Sequence, residues 1–195
     1  MNETDHPLPH TMYGRMIGLS LLLFPYERRA AVRYARRWAY GRNPAFYDYE
    51  KIGGDCTNFA SQCLYAGGSV MNYDDPFGWY YIDSNQKSPS WTGVVYLYDF
   101  LTRKDRSVGP FAREVELGEI RPGDLVQLSF NGEVYQHTPV VVFAREPKTL
   151  GDILIAAHSY DALDRPLDSY EFQKIRFLHV EGIYREIPGF ANIRS

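Results

Sequence analysis

The chain has 195 residues, of which 45% are apolar and 23% charged, with a net charge of −3. That length fits one domain with a real core. The near-neutral balance gives no electrostatic case for nucleic acid or acidic membrane surfaces as partners, and two cysteines cannot form a disulfide framework.

In chain order, residues 1–25 read as an N-terminal extension, partly disordered, and 26–195 as the folded domain. Residues 1–15 carry Pro7, Pro9, His6 and His10 with few large aliphatics. The apolar run Met16–Phe24 is too short to span a bilayer, which takes about 20 residues. Glu3 and Asp5 precede it and no small-residue cleavage site follows, which argues against a signal peptide. It is expected to be a packing segment, with no integral membrane segment and a cytoplasmic rather than secreted location.

Residues 26–40 place Ala31, Tyr34, Ala35 and Trp38 at helical spacing, with five arginines around the remaining face. Those arginines are expected to meet the surplus acids elsewhere rather than nucleic acid. A second helix is expected from Cys56 to about Ala66. Asp55 would be its N-cap, Phe59, Ala60, Cys63, Leu64 and Ala66 its apolar stripe, and Gly67-Gly68 its stop. Residues 69–93 look loop-like and carry Trp79, Tyr80, Tyr81 and Trp91, which suit either a cleft wall or core packing. Residues 92–103 read as a third helix.

From Arg121 the pattern turns to strands at 124–130, 134–144, 150–157 and 172–184, with Asn131-Gly132 as a hairpin turn. Helices first and antiparallel strands after define an α+β fold.

A cysteine in the first turn of a buried helix is chemically distinctive. Free backbone N–H groups and the helix dipole favour a thiolate there. Cys56 has that position. Cys63, at about 10.5 Å further along a helix, does not, and the two are too far apart to bridge. A nucleophilic thiol needs a base. His6 and His10 fall in the extension, and His179 reads as an ordinary strand residue. His137 opens one β-branched strand and His158 ends the next, so the two could lie side by side at one sheet end. The order is then Cys56 nucleophile, His137 base and His158 orienter, with Asp161 as the substitute orienter. The cysteines lack C-x-x-C spacing, and His6 and His10 fall in the extension, so neither a metal site nor a cofactor is expected.

The string from Tyr26 to Gly68, with GGDCTNFASQC at its centre, resembles the opening of the bacterial "putative amidase domain" family of the papain-like clan, related to NlpC-type and CHAP hydrolases. The resemblance continues through Trp79, Ser90-Trp91-Thr92, Arg121–Leu125, His137 and the strand ending at His158. It implies a papain-like fold, with N-terminal helices packed on an antiparallel sheet. It also implies cleavage of amide bonds through a thioester, in peptidoglycan fragments or other short peptides. An acyltransferase would use the same residues, and a non-catalytic binding module would use the same fold. Pro139, two residues beyond His137, departs from the family pattern and predicts an edge or bulge there.

Overall fold

The computed structural model describes residues 19–146 and 149–188. Residues 1–18 of the extension expected at 1–25, with His6 and His10, lie outside the described residues.

The first described element is a strand, β1 (Leu19–Phe24), so the apolar run packs as a sheet edge. Helix α1 (Arg28–Trp38) buries Ala31 and Ala35 and half-buries Tyr34 and Trp38, the stripe its spacing predicts. Two of its five arginines meet acids. Arg28 pairs with the buried Asp124 at 2.5 Å, and Arg36 forms a two-pronged pair with Asp164 at 2.8 and 2.7 Å.

Helix α2 (Cys56–Gly68) is buried all round except at Tyr65 and Ala66. Such a helix belongs to the core rather than the surface. Gly67 and Gly68 lie within it and do not end it. A Cβ at Gly67 would collide with the Tyr26 ring, and one at Gly68 would press on Ile183. The helix ends instead at Ser69, whose φ of 53° is left-handed and whose N–H returns to the Tyr65 carbonyl. Close approach, not helix termination, therefore explains the glycine pair.

The expected third helix forms as two pieces, α3 (Pro89–Thr92) and α4 (Val94–Leu101). Trp79 and Trp91 are fully buried, and Tyr81 is nearly so. Trp79 Nε1 donates to Ser61 Oγ and Trp91 Nε1 to Asn58 Oδ1, at 3.0 and 2.8 Å, so both indoles satisfy their polar edge on α2. They belong to the core, not to a cleft.

The remaining elements are β2 (Gly109–Val115), β3 (Leu125–Ser129), β4 (Val140–Ala144), β5 (Ile153–Ala157), β6 (Ala162–Pro166) and β7 (Lys174–Pro188). All pairings are antiparallel, in the order β1-β7-β3-β4-β5-β6, with β2 also on the long β7. This is the expected α+β architecture, with the helices packed on one face of the sheet. Leu125, Val140, Ala156 and Leu178 join α1 and α2 in one core, while Val126, Leu128, Val141 and Ile155 form a second core on the opposite face. Pro139 falls in the gap between a lone bridge at Leu128–His137 and the start of β4, so the expected strand 134–144 is ordered as β4 only from Val140.

Candidate active site

Cys56 opens α2 and is 7% exposed. The GGDC turn before it needs its glycines, since Gly53 and Gly54 hold φ of 101° and 102°, which L side chains rarely adopt. Asp55 occupies the N-cap position but makes no capping bond. Its carboxylate turns inward, where Oδ1 accepts from the Tyr49 N–H at 2.9 Å and Asn58 Nδ2 at 2.8 Å. The expected cap is therefore a buried anchor. The first N–H to return to the helix is that of Phe59, on the Asp55 carbonyl. The N–H groups of the first turn stay free of helical acceptors, and that of Thr57 points at the thiol.

The thiol lies against the main chain on both sides of His137. Cys56 Sγ is 4.0 Å from the Gln136 carbonyl and 3.8 Å from Thr57 Oγ1, and the Thr138 N–H faces it. Burial raises the Cys56 pKa above the usual thiol value. The Thr138 and Thr57 N–H groups and the Thr57 hydroxyl oppose this, and the Asp55 charge adds to it. His137 is 4% exposed, and its ring packs between Tyr170 and Phe130, at 5.5 and 6.2 Å between centroids. Burial, assisted by the Arg165 charge, lowers its pKa from 6.5 to about 4. At neutral pH the resting site thus holds a neutral thiol and a neutral imidazole. His137 Nε2 is buried with no hydrogen-bond partner among the described residues.

His158 directly follows β5, yet its ring does not bond to His137. Its Nδ1 meets Asp55 Oδ2 at 2.5 Å and its Nε2 meets the Trp38 carbonyl at 2.8 Å, while the ring stacks on Phe59 at 4.0 Å. Both nitrogens are occupied under the α2 N-terminus. The pairing Val140–Ala156 explains this. Continued by two residues, it sets His158 opposite Thr138 on the helix face, and side chains alternate, so His137 points to the other face.

A family model described as "putative amidase domain" matches residues 25–180. The chain belongs to that family. The uncharacterized protein YhbB of Bacillus subtilis (strain 168) is 34% identical over 143 residues, covering 71% of this chain and 43% of that protein. The chain thus spans less than half the length of that relative. No solved structure matches the chain.

In this amidase-family chain, Asp161 also sits away from His137. It holds Arg42 through two bonds of 3.0 and 2.9 Å, and Arg42 Nε lies 3.6 Å from Asp55 Oδ2. His179 bonds to Asp124 at 2.8 Å. No group of three or more potential metal ligands occurs among the described residues, and none of their helices is long and apolar enough to cross a membrane.

Two residues beside the site escaped the sequence reading. Asp55 is adjacent to the thiol, and its partner His158 is set by the register that puts His158 on the helix face. Tyr170 carries no motif at all, yet its ring packs on His137, and burial raises its pKa, with Arg165 opposing the rise and the nearby Cys56 adding to it. Tyr170 and Phe130 also line an open depression of about 540 Å³, with Leu150, Phe172, Asp168 and Glu171 among its other walls.

Proposed function

We propose that this chain is a cysteine-dependent amidohydrolase that cleaves amide bonds in short peptides through a thioester. Membership of a family described as putative amidases supports the amide substrate. The observation that carries the mechanism is the placement of the Cys56 thiol at a buried helix start, against the main chain flanking a buried, neutral histidine.

In this reading His137 takes the thiol proton as Cys56 Sγ attacks the carbonyl carbon of the amide. The carbonyl π electrons move to oxygen, and the oxyanion meets the free N–H groups of the first turn of α2. On collapse the C–N bond breaks and His137 gives its proton to the leaving nitrogen. Water, deprotonated by His137, then splits the thioester to carboxylate and free thiol. A helix-terminal thiol that starts neutral needs a neutral base, and the depressed pKa of His137 keeps one available across the physiological range. His158, bonded to Asp55 and Trp38, acts on this cycle by fixing the α2 N-terminus. Peptidoglycan fragments are one class of short peptide that fits the reading.

The test is hydrolysis of a peptide library with a chelator and a reductant present. Turnover is expected to persist in the wild type and to vanish in Cys56→Ala. Hydrolysis that survives Cys56→Ala and stops with chelator would place the chemistry at another site.

A further inference from the structure

Four buried side-chain polar atoms lack a hydrogen-bond partner among the described residues, and two of them belong to neighbouring rings: His137 Nε2 and the Tyr170 hydroxyl. A buried polar atom left unpaired is costly and rare enough to call for an explanation. We infer that Tyr170 is the positioning residue for His137. Its hydroxyl oxygen accepts the Nε2 proton, directly or through one water, and so leaves Nδ1 free to face the Cys56 thiol. The inference rests on the proposed reading of His137 as the base.

Three observations converge on it. Tyr170 packs on His137 at 5.5 Å, and Cys56 is near enough to act on the Tyr170 hydroxyl electrostatically. His137 Nδ1 is not among the buried unpaired atoms, so the nitrogen that lacks a partner in the interior is Nε2. The residue expected to hold the imidazole, His158, has both nitrogens committed elsewhere. Arg165 completes the arrangement. Its guanidinium lies 3.7 Å over the Tyr170 ring, anchored by Ser169, and its charge disfavours protonation of His137. His137 thus has a hydroxyl that fixes its tautomer, while burial, assisted by the cation, keeps the ring neutral until the thiol delivers its proton.

The experiment uses Tyr170→Phe, which removes the hydroxyl and keeps the aromatic ring. Two readouts need no substrate: the rate of Cys56 alkylation by iodoacetamide from pH 5 to 9, and the ring ¹⁵N shifts of His137. Loss of one hydrogen bond to a charged group is expected to slow alkylation near pH 7 about tenfold. It should also convert a single Nε2–H tautomer into a mixture. Thermal stability should fall by no more than the loss of one buried hydrogen bond. His137→Ala serves as the control. If it slows alkylation while Tyr170→Phe matches the wild type in both readouts, the role given to Tyr170 is overturned and the base assignment stands. If neither variant changes the rate, the base assignment falls, and the role of Tyr170 with it.

Discussion

The depressed pKa of His137 ties the candidate site to the stability of the whole fold. An exposed histidine in the unfolded chain gains its proton near pH 6.5, whereas His137 in the native state waits until about pH 4. Between those values the unfolded state binds more protons, so native stability rises with pH and falls as the solution is acidified. At 1.36 kcal/mol per pH unit, the penalty accumulated from pH 7 to pH 4 is about 3 kcal/mol. That is a large share of the 5–15 kcal/mol or so that holds a typical domain together. His137→Gln keeps the ring's approximate volume and removes the titration. Urea unfolding at intervals from pH 7.5 to 4 should show wild type losing about 3 kcal/mol more than the variant over that range. Every other ionisable group is common to both proteins, so its contribution cancels in the comparison. Parallel stability curves would refute the claim that His137 is buried and neutral.

Iodoacetamide in small excess at pH 7.5 should modify Cys56 before Cys63, which is 1% exposed and whose thiol burial pushes well above its usual pKa; peptide mass spectrometry showing equal labelling would sink the assignment. His158→Ala removes a buried partner of Asp55 and a ring stacked on Phe59, and should cost about 3–5 kcal/mol in chemical denaturation; a loss below 1 kcal/mol would contradict the anchoring role. Gly67→Ala drives a methyl into the Tyr26 ring and should lower stability by about 1–3 kcal/mol, with a neutral or stabilising result showing that α1 and α2 can separate freely.

The helical half of the fold was legible because its signals are local. The stripe Ala31, Tyr34, Ala35, Trp38 needs no knowledge of its partner to mark a buried face. The sheet was less so. Leu19–Phe24 is largely exposed on both faces and lacks alternation, and Gly109–Val115 opens with Gly-Pro and carries Arg113 and Glu114. Both are held by pairing to β7 rather than by any pattern of their own. The short β6 contains Asp164 at a left-handed φ of 52°, which no strand rule anticipates. At the candidate site, Cys56 was singled out by its place at a helix start and His137 by its place before a β-branched run. The partner of His158 was not, because it depends on register. A pairing that looks adjacent in sequence order still divides the two histidines between opposite faces when their separation has the wrong parity.

That parity has a consequence for how the thiol is held. With His158 on the helix face, the carboxylate beside Cys56 is drawn inward and fixed by Tyr49, Asn58 and the imidazole. An aspartate capping α2 in the usual way would occupy the N2 or N3 amide and place its oxygens across the first turn. Instead the N–H groups of that turn remain available to an oxyanion, and the Thr57 N–H remains available to the sulfur. The same turn is pinned from the other side, since the Asp55 N–H donates to Ser159 Oγ at 2.7 Å and Ser159 in turn donates to Glu50. The Asp55 charge still raises the thiol pKa, so this arrangement exchanges a resting thiolate for a rigid, open helix terminus. In the proposed reading it leaves the deprotonation of the thiol to His137.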